Sequence, residues 1–276
     1  MKKLLFLSIT VAIAVLLTYC SKSFNDDGTG RLLITLTDAP FPFENIESAN
    51  VTISKVELRK AGDGIPDGNP FVTVSEEIMN FNLLELRNGI TAALADIEIP
   101  AGTYNLIRLY VDEASLETKD GATFDVKVPS GQQTGIKIRI KPEITVEGGL
   151  TSELLIDFDL SRSFILRGNP DKPSGMTGFI FKPVIRAVNN TTAGRVEGTV
   201  IDADDLAVEN AEVWIEQDTL VATSYTDDSG KYAFLGIPAG TYSLFATKEN
   251  YDTVSYTGVQ VTAGNRTIKD FILKVN

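Results

Sequence analysis

From Arg31 onward, apolar and polar residues alternate with a period of two through most of the chain. Examples are Val51-Thr52-Ile53-Ser54-Lys55-Val56-Glu57-Leu58 and Ile136-Lys137-Ile138-Arg139-Ile140. Successive side chains of an extended strand point to opposite sides, so this period predicts strands with one apolar and one wet face. Between the runs lie turn-forming clusters, among them Gly62-Asp63-Gly64, Pro66-Asp67-Gly68-Asn69, Asp120-Gly121 and Gly148-Gly149. Their spacing suits sandwiches of short antiparallel strands. Sustained helical periodicity is missing; the best helical candidate is one turn from Thr91 to Ala95, after Gly89. The pattern predicts an all-β chain.

A polar, small-residue break, Asn189-Asn190-Thr191-Thr192-Ala193-Gly194, follows the apolar run Phe179-Ile180-Phe181-Lys182-Pro183-Val184-Ile185. It reads as a linker over residues 189–194 between two tandem antiparallel β-sandwich domains, 31–188 and 195–276. The two halves share a phrase: Ile99-Pro100-Ala101-Gly102-Thr103-Tyr104 returns as Ile237-Pro238-Ala239-Gly240-Thr241-Tyr242. Physically it reads as a strand-to-strand corner. Proline fixes φ, glycine supplies a positive φ, and tyrosine starts the next strand with its hydroxyl returning to the backbone. Residues 195–276 hold a complete set of turns and strands and are expected to fold alone.

The first residues have another character. Lys2 and Lys3 precede an apolar run from Leu4 to Leu17, which then meets Thr18, Tyr19 and Cys20. The run is short of the ~20 residues that cross a bilayer, and a basic tip before it is the layout of a secretory signal peptide, residues 1–19. Leu17-Thr18-Tyr19-Cys20 resembles a bacterial lipobox, in which the cysteine becomes the lipidated N-terminus; Tyr19 fits the looser Bacteroidetes-type pattern. The resemblance implies lipidation at Cys20, a tether over residues 20–30 carrying Asp26-Asp27, and attachment to the outer membrane at the surface of a Gram-negative cell. A plain solvated linker is the alternative for the tether.

Composition narrows the chemistry. With 43% hydrophobic residues among 276, the chain has enough apolar matter for two ordinary domains. It has no histidine and one cysteine, so Ser-His-Asp or Cys-His catalysis and His-ligated metal sites cannot be built. A formal charge of −12 opposes binding to a phosphate backbone, which makes nucleic acid an unexpected partner.

Paired carboxylates, Asp157 with Asp159 or Glu212 with Glu216, are the catalytic option left, and same-face acids are usually just solvated. Calcium accepts oxygen-only ligands, and Asp63, Asp67, Asp202 and Asp204 stand in expected loops, although Asp and Gly are also ordinary turn residues. No other cofactor is expected. Ala211, Val213 and Ile215 alternate inward, which turns Glu212, Trp214 and Glu216 to the other face. Trp214 is the one tryptophan of the chain; an outward ring between two acids is a candidate carbohydrate platform, and packing on Tyr232 or on the first domain is the plainer alternative. Thr219 and Thr253, in Asp218-Thr219-Leu220 and Asp252-Thr253-Val254, resemble acceptors for O-glycosylation of exported Bacteroidetes-type proteins.

Gly198-Thr199-Val200-Ile201-Asp202, Ala211-Glu212-Val213, Thr226-Asp227-Asp228-Ser229-Gly230-Lys231-Tyr232 and Pro238-Ala239-Gly240-Thr241-Tyr242 occur in order. Together they resemble the carboxypeptidase regulatory-like domain. That implies a transthyretin-like, carbohydrate-binding-like sandwich without a catalytic centre, in which the turn at Asp227-Asp228-Ser229-Gly230 is a hairpin. The first domain, with Thr37-Asp38-Ala39-Pro40, Pro100-Ala101-Gly102-Thr103-Tyr104 and Val128-Pro129-Ser130-Gly131-Gln132-Gln133-Thr134-Gly135, resembles an uncharacterised domain of bacterial lipoproteins. The expected protein is a non-enzymatic, lipid-anchored envelope protein that binds or adheres, its partners the membrane and a glycan or an envelope protein. The alternatives are a fimbria-like structural subunit and, more weakly, a carboxylate hydrolase.

Overall fold

The computed structural model describes residues 28–39, 45–62, 70–128, 133–168 and 176–276. The expected signal peptide, Cys20, the tether up to Asp27, Asp63 and Asp67 lie outside these residues.

The first domain contains β1 (Thr29–Ala39), β2 (Ile46–Lys60), β3 (Phe71–Ser75), β4 (Met79–Asn82), β5 (Ala92–Pro100), β6 (Gly102–Thr118), β7 (Thr123–Asp125), β8 (Ile136–Val146), β9 (Thr151–Asp159), β10 (Phe164–Gly168), β11 (Met176–Phe181) and β12 (Ile185–Asn189). Ten of these form one hydrogen-bonded sheet in the order β3-β2-β6-β8-β12-β9-β1-β5, with β4 added to β2 and β7 to β6; β10 and β11 pair apart from it. The sheet folds over on itself, so that its edges β3 and β5 meet. The core inside it is built from alternate residues, such as Leu32, Ile34 and Leu36 of β1 and Leu154, Ile156 and Phe158 of β9. Each such side chain contributes roughly 1.5–3 kcal/mol by leaving water.

Two pairings are parallel, β1 with β9 and β12 with β8, so the sheet is mixed. Alternation reports which face a residue is on and says nothing of its neighbour's direction. The turn expected from Thr91 to Ala95 is instead the start of β5, which pairs antiparallel with β1 and sends Leu94 into the core. One helical turn closes hardly any hydrogen bonds for the entropy it costs, whereas a strand edge satisfies every second group at once.

The second domain contains β13 (Ala193–Ile201), β14 (Glu212–Gln217), β15 (Thr219–Tyr225), β16 (Lys231–Pro238), β17 (Gly240–Thr247), β18 (Val254–Val261), β19 (Arg266–Ile268) and β20 (Phe271–Ile272). One sheet runs β16-β13-β19, with β20 also on β13; the other runs β15-β14-β17-β18. Their shared core includes Val213, Ile215, Tyr232, Phe234, Leu244 and Phe271. Asp227-Asp228-Ser229-Gly230 is not a hairpin, because β15 and β16 belong to different sheets. Asp227 Oδ1 accepts from the Ser229 and Lys231 backbone N–H groups at 3.0 and 2.9 Å, making a corner between the sheets.

Both copies of the repeated phrase are corners of the expected kind. Tyr104 and Tyr242 are buried, and their hydroxyls donate to the carbonyls of Pro100 and Pro238 at 2.8 and 2.7 Å. The glycines differ. Gly102 has φ +148°, whereas Gly240 has no positive φ; a Cβ there would press on the Tyr242 ring at 3.3 Å, so room for the tyrosine is what glycine supplies in the second copy.

Residues 189–194, expected as a linker, are the last residue of β12, one 3-10 turn (Asn190–Thr192) and the first two residues of β13. The domains are packed together. Arg186 of β12 holds Asp157 Oδ2 through Nε at 3.0 Å and Nη2 at 2.5 Å, and also donates to the carbonyls of Leu235 and Gly236 in β16 at 3.1 and 3.2 Å. Beside it, Gly236 lies against Leu155 and Val188.

Candidate functional site

Strand β14 lies between β15 and β17, and its alternation is as the sequence predicts: Val213 and Ile215 are fully buried, while Glu212, Trp214 and Glu216 are partly exposed on the outer face. Register places Trp214 opposite Phe245 of β17 and Thr223 of β15. The indole and the Phe245 ring stand parallel, 4.9 Å between centroids and 7° between planes. The Trp214 packing partner is therefore Phe245, and not Tyr232, which sits inside the core on the other sheet. Indole Nε1 donates to Glu216 Oε1 at 3.0 Å. Burial raises the Glu212 carboxyl above the ordinary range. Next to it, Tyr225 is pushed up to about 12 by burial, then by Glu212 and by Asp159 of the first domain.

The rest of that outer face is hydroxyl- and amide-bearing. Gln260 Nε2 donates to Thr241 Oγ1 at 2.7 Å, and Thr253 Oγ1 to Thr247 Oγ1 at 3.1 Å. A two-ring unit with a carboxylate fixed at the indole nitrogen, set among short polar side chains, offers C–H stacking at the rings and hydrogen bonds around them. Thr219 and Thr253 are both exposed on this domain.

Asp202 has a structural task, since its Oδ1 accepts from the Asp204 and Leu206 N–H groups at 2.8 and 3.0 Å. This is an Asx turn, and Asp205 completes it with φ +61°. Among the described residues, no group of three or more acidic or cysteine side chains could hold a metal ion. Asp157 is occupied by Arg186, and Asp159 Oδ1 accepts from Ser161 Oγ and the Arg162 N–H at 2.6 and 3.0 Å.

One acid escaped sequence reasoning. Asp38 continues the inward row of Leu32, Ile34 and Leu36 and is 4% exposed; Oδ1 accepts from the Leu160 N–H at 3.2 Å, and Oδ2 has no partner. Burial, then the nearness of Asp157, holds its carboxyl well above the usual range, with the Leu160 bond, and Arg87 more weakly, pulling the other way. The period-two pattern that continues from Leu36 was the available signal.

Residues 29–183 match the family model described as a domain of unknown function (DUF4382), and residues 195–274 match the carboxypeptidase regulatory-like domain. Neither description names an enzyme. No curated protein matches the chain. Among solved structures, the chain is similar to the TIE protein of Bacillus anthracis, with 17% identity over 90% of this chain and 34% of that one, TM-score 0.26. It is similar to a type II cohesin–X-dockerin complex from Acetivibrio cellulolyticus, with 22% identity over 30% of this chain and 58% of that one, TM-score 0.26. It is also similar to the shaft pilin SpaA of Lactobacillus rhamnosus GG, with 12% identity over 90% of this chain and 98% of that one, TM-score 0.28. The chain thus spans less than two thirds of the length of the first two.

Proposed function

We propose, from the premise that the chain belongs to the family of the domain of unknown function DUF4382 and carries a carboxypeptidase regulatory-like domain behind it, that it is a non-enzymatic, lipid-anchored protein of the outer membrane. It faces the cell surface and binds or adheres, with glycan as its leading ligand class. The observation that carries this reading is the outer face of β15-β14-β17-β18, where Trp214 and Phe245 stand stacked and partly exposed among hydroxyls, with Glu216 at the indole nitrogen. Aromatic rings take the apolar C–H face of a pyranose, and carboxylates and hydroxyls take its polar rim.

The test is a glycan array probed with the full chain and with Trp214→Ala. Binding that disappears in the variant while the unfolding midpoint moves little supports the reading; a stability loss without any binding phenotype removes it. Lipidation at Cys20 is tested separately, by mass spectrometry of the mature N-terminus.

A second reading, a fimbria-like structural subunit, draws on the exposed apolar side chains Ile268, Ile272 and Val275 near the C-terminal edge of the second domain. Exposed apolar residues beside edge strands are templates for strand addition by another copy. Concentration-dependent assembly of the full chain, abolished by Ile272→Lys, would favour it over the glycan reading.

A further inference from the structure

The domain junction encloses a crevice that the Trp214 face does not share. Its volume is about 480 Å³; β8 and β12 form its floor, and Val221 and Pro238 of the second domain lean over it. The two floor strands are joined through one pairing only, Ala187 with Ile140, so the sheet is splayed there. Lys137, Arg139 and Lys141 stand at alternate positions of β8, all exposed and all lining the crevice. Alternate residues of a strand point the same way, roughly 6.6 Å apart, so the three cations form one row. Among the described residues none of the three joins an ion pair. Among the described residues no acidic side chain lines the crevice, in a chain of formal charge −12.

A row of like charges that repel one another without counter-charges, in a protein with acids to spare, is a recognition surface for anions. The wall above the floor is apolar, formed by Val221 and Pro238, and Ile185 of the floor strand β12 adds apolar surface beside the cations. The volume falls within the range of small-ligand sites, which gather at domain interfaces, and is too small for a folded partner. We infer that this crevice binds a short acidic saccharide: its carboxylate or sulfate groups meet Lys137, Arg139 and Lys141, and its C–H faces lie on Ile185, Val221 and Pro238. The site is independent of Trp214 and goes beyond the reading above.

Calorimetric titration of the full chain in neutral detergent tests it, with trigalacturonate, a sulfated disaccharide and neutral maltotriose as probes. One acidic probe is expected to bind and maltotriose not; which of the two binds identifies the anionic group. Affinity should fall at least tenfold between 50 and 500 mM NaCl, because screening shortens the reach of exposed charges. The triple variant Lys137→Gln/Arg139→Gln/Lys141→Gln should lose at least tenfold in affinity with an unchanged unfolding midpoint, and the single change Arg139→Gln at an exposed position should lose severalfold should the triple variant fold poorly. Val221→Asp, across the crevice, should weaken binding as well, and Trp214→Ala should leave it intact. Failure of both acidic probes, undiminished binding by the charge variants, or equal binding of maltotriose would overturn the inference. Hexaglutamate binding as tightly as the saccharide would also overturn it, in favour of an acidic peptide.

Discussion

Tyr104 and Tyr242 do the same thing in two domains: each ring is buried, and each hydroxyl closes a loop of four residues onto a proline carbonyl. Tyr104→Phe and Tyr242→Phe remove the donor and keep the ring, so each should cost about 1 kcal/mol in urea unfolding. This feature was legible because it is local; the phrase contains both donor and acceptor. Asp38 was not, since the period-two row that continues through it from Leu36 is a signal that a carboxylate, ordinarily a solvated group, overrides. Its folded pKa is raised above the unfolded value, so its contribution to stability is fully present below pH ~4 and is lost as pH rises through the folded value. Asp38→Asn keeps an acceptor for the Leu160 N–H and cannot ionise. The variant should therefore equal or exceed the natural chain in stability at pH 7, with the difference closing toward pH 4, as read by denaturant midpoints across that range.

Strands were legible and their neighbours were not. Alternation placed Val213 and Ile215 in the core and turned Trp214 outward, but Phe245 became its partner through a register that only the folded sheet defines. The same holds for β5, whose first residues gain their hydrogen bonds from β1, some 60 residues earlier in the chain. Strand β16 carries the element-level test. Gly236 has φ +61°, and a Cβ there would lie 2.7 Å from Leu155 Cδ2 of β9. Gly236→Ala therefore combines left-handed backbone strain with a clash, and should cost about 1–3 kcal/mol. Comparing the variant in the full chain and in an isolated 195–276 fragment separates the two causes, because the clash vanishes without the first domain.

At the scale of the molecule, the segment 189–194 reads in the sequence as a domain linker because its side chains are small and polar. Its rigidity comes from elsewhere, from Arg186 reaching two β16 carbonyls and from Leu155 and Val188 lying under Gly236. Such contacts join residues about 50 to 80 positions apart, beyond any local pattern. The full chain should unfold in one transition. Arg186→Ala strips the partner from Asp157, a loss of about 2–3 kcal/mol, below the 3–5 of fully buried pairs because Arg186 is partly wet. It should split the transition in two, as seen by calorimetry. The 195–276 fragment is expected to fold alone, but with a lower midpoint than the same domain has in the intact chain.

The topology of the first domain has a mechanical consequence. Strand β1 enters the sheet and β12 leaves it with only β9 between them, and Arg31 lies opposite Thr151 while Asn189 lies opposite Leu154. Entry and exit are therefore about 10 Å apart across the sheet and about 10 Å along it. Tension between the residues before β1 and the second domain is carried by these three adjacent strands, and the remaining strands of the large sheet hang off the load path. The first domain adds almost no reach. It works as a ballast beside the junction rather than as a stalk, and its far strands are free to vary without changing how force is transmitted.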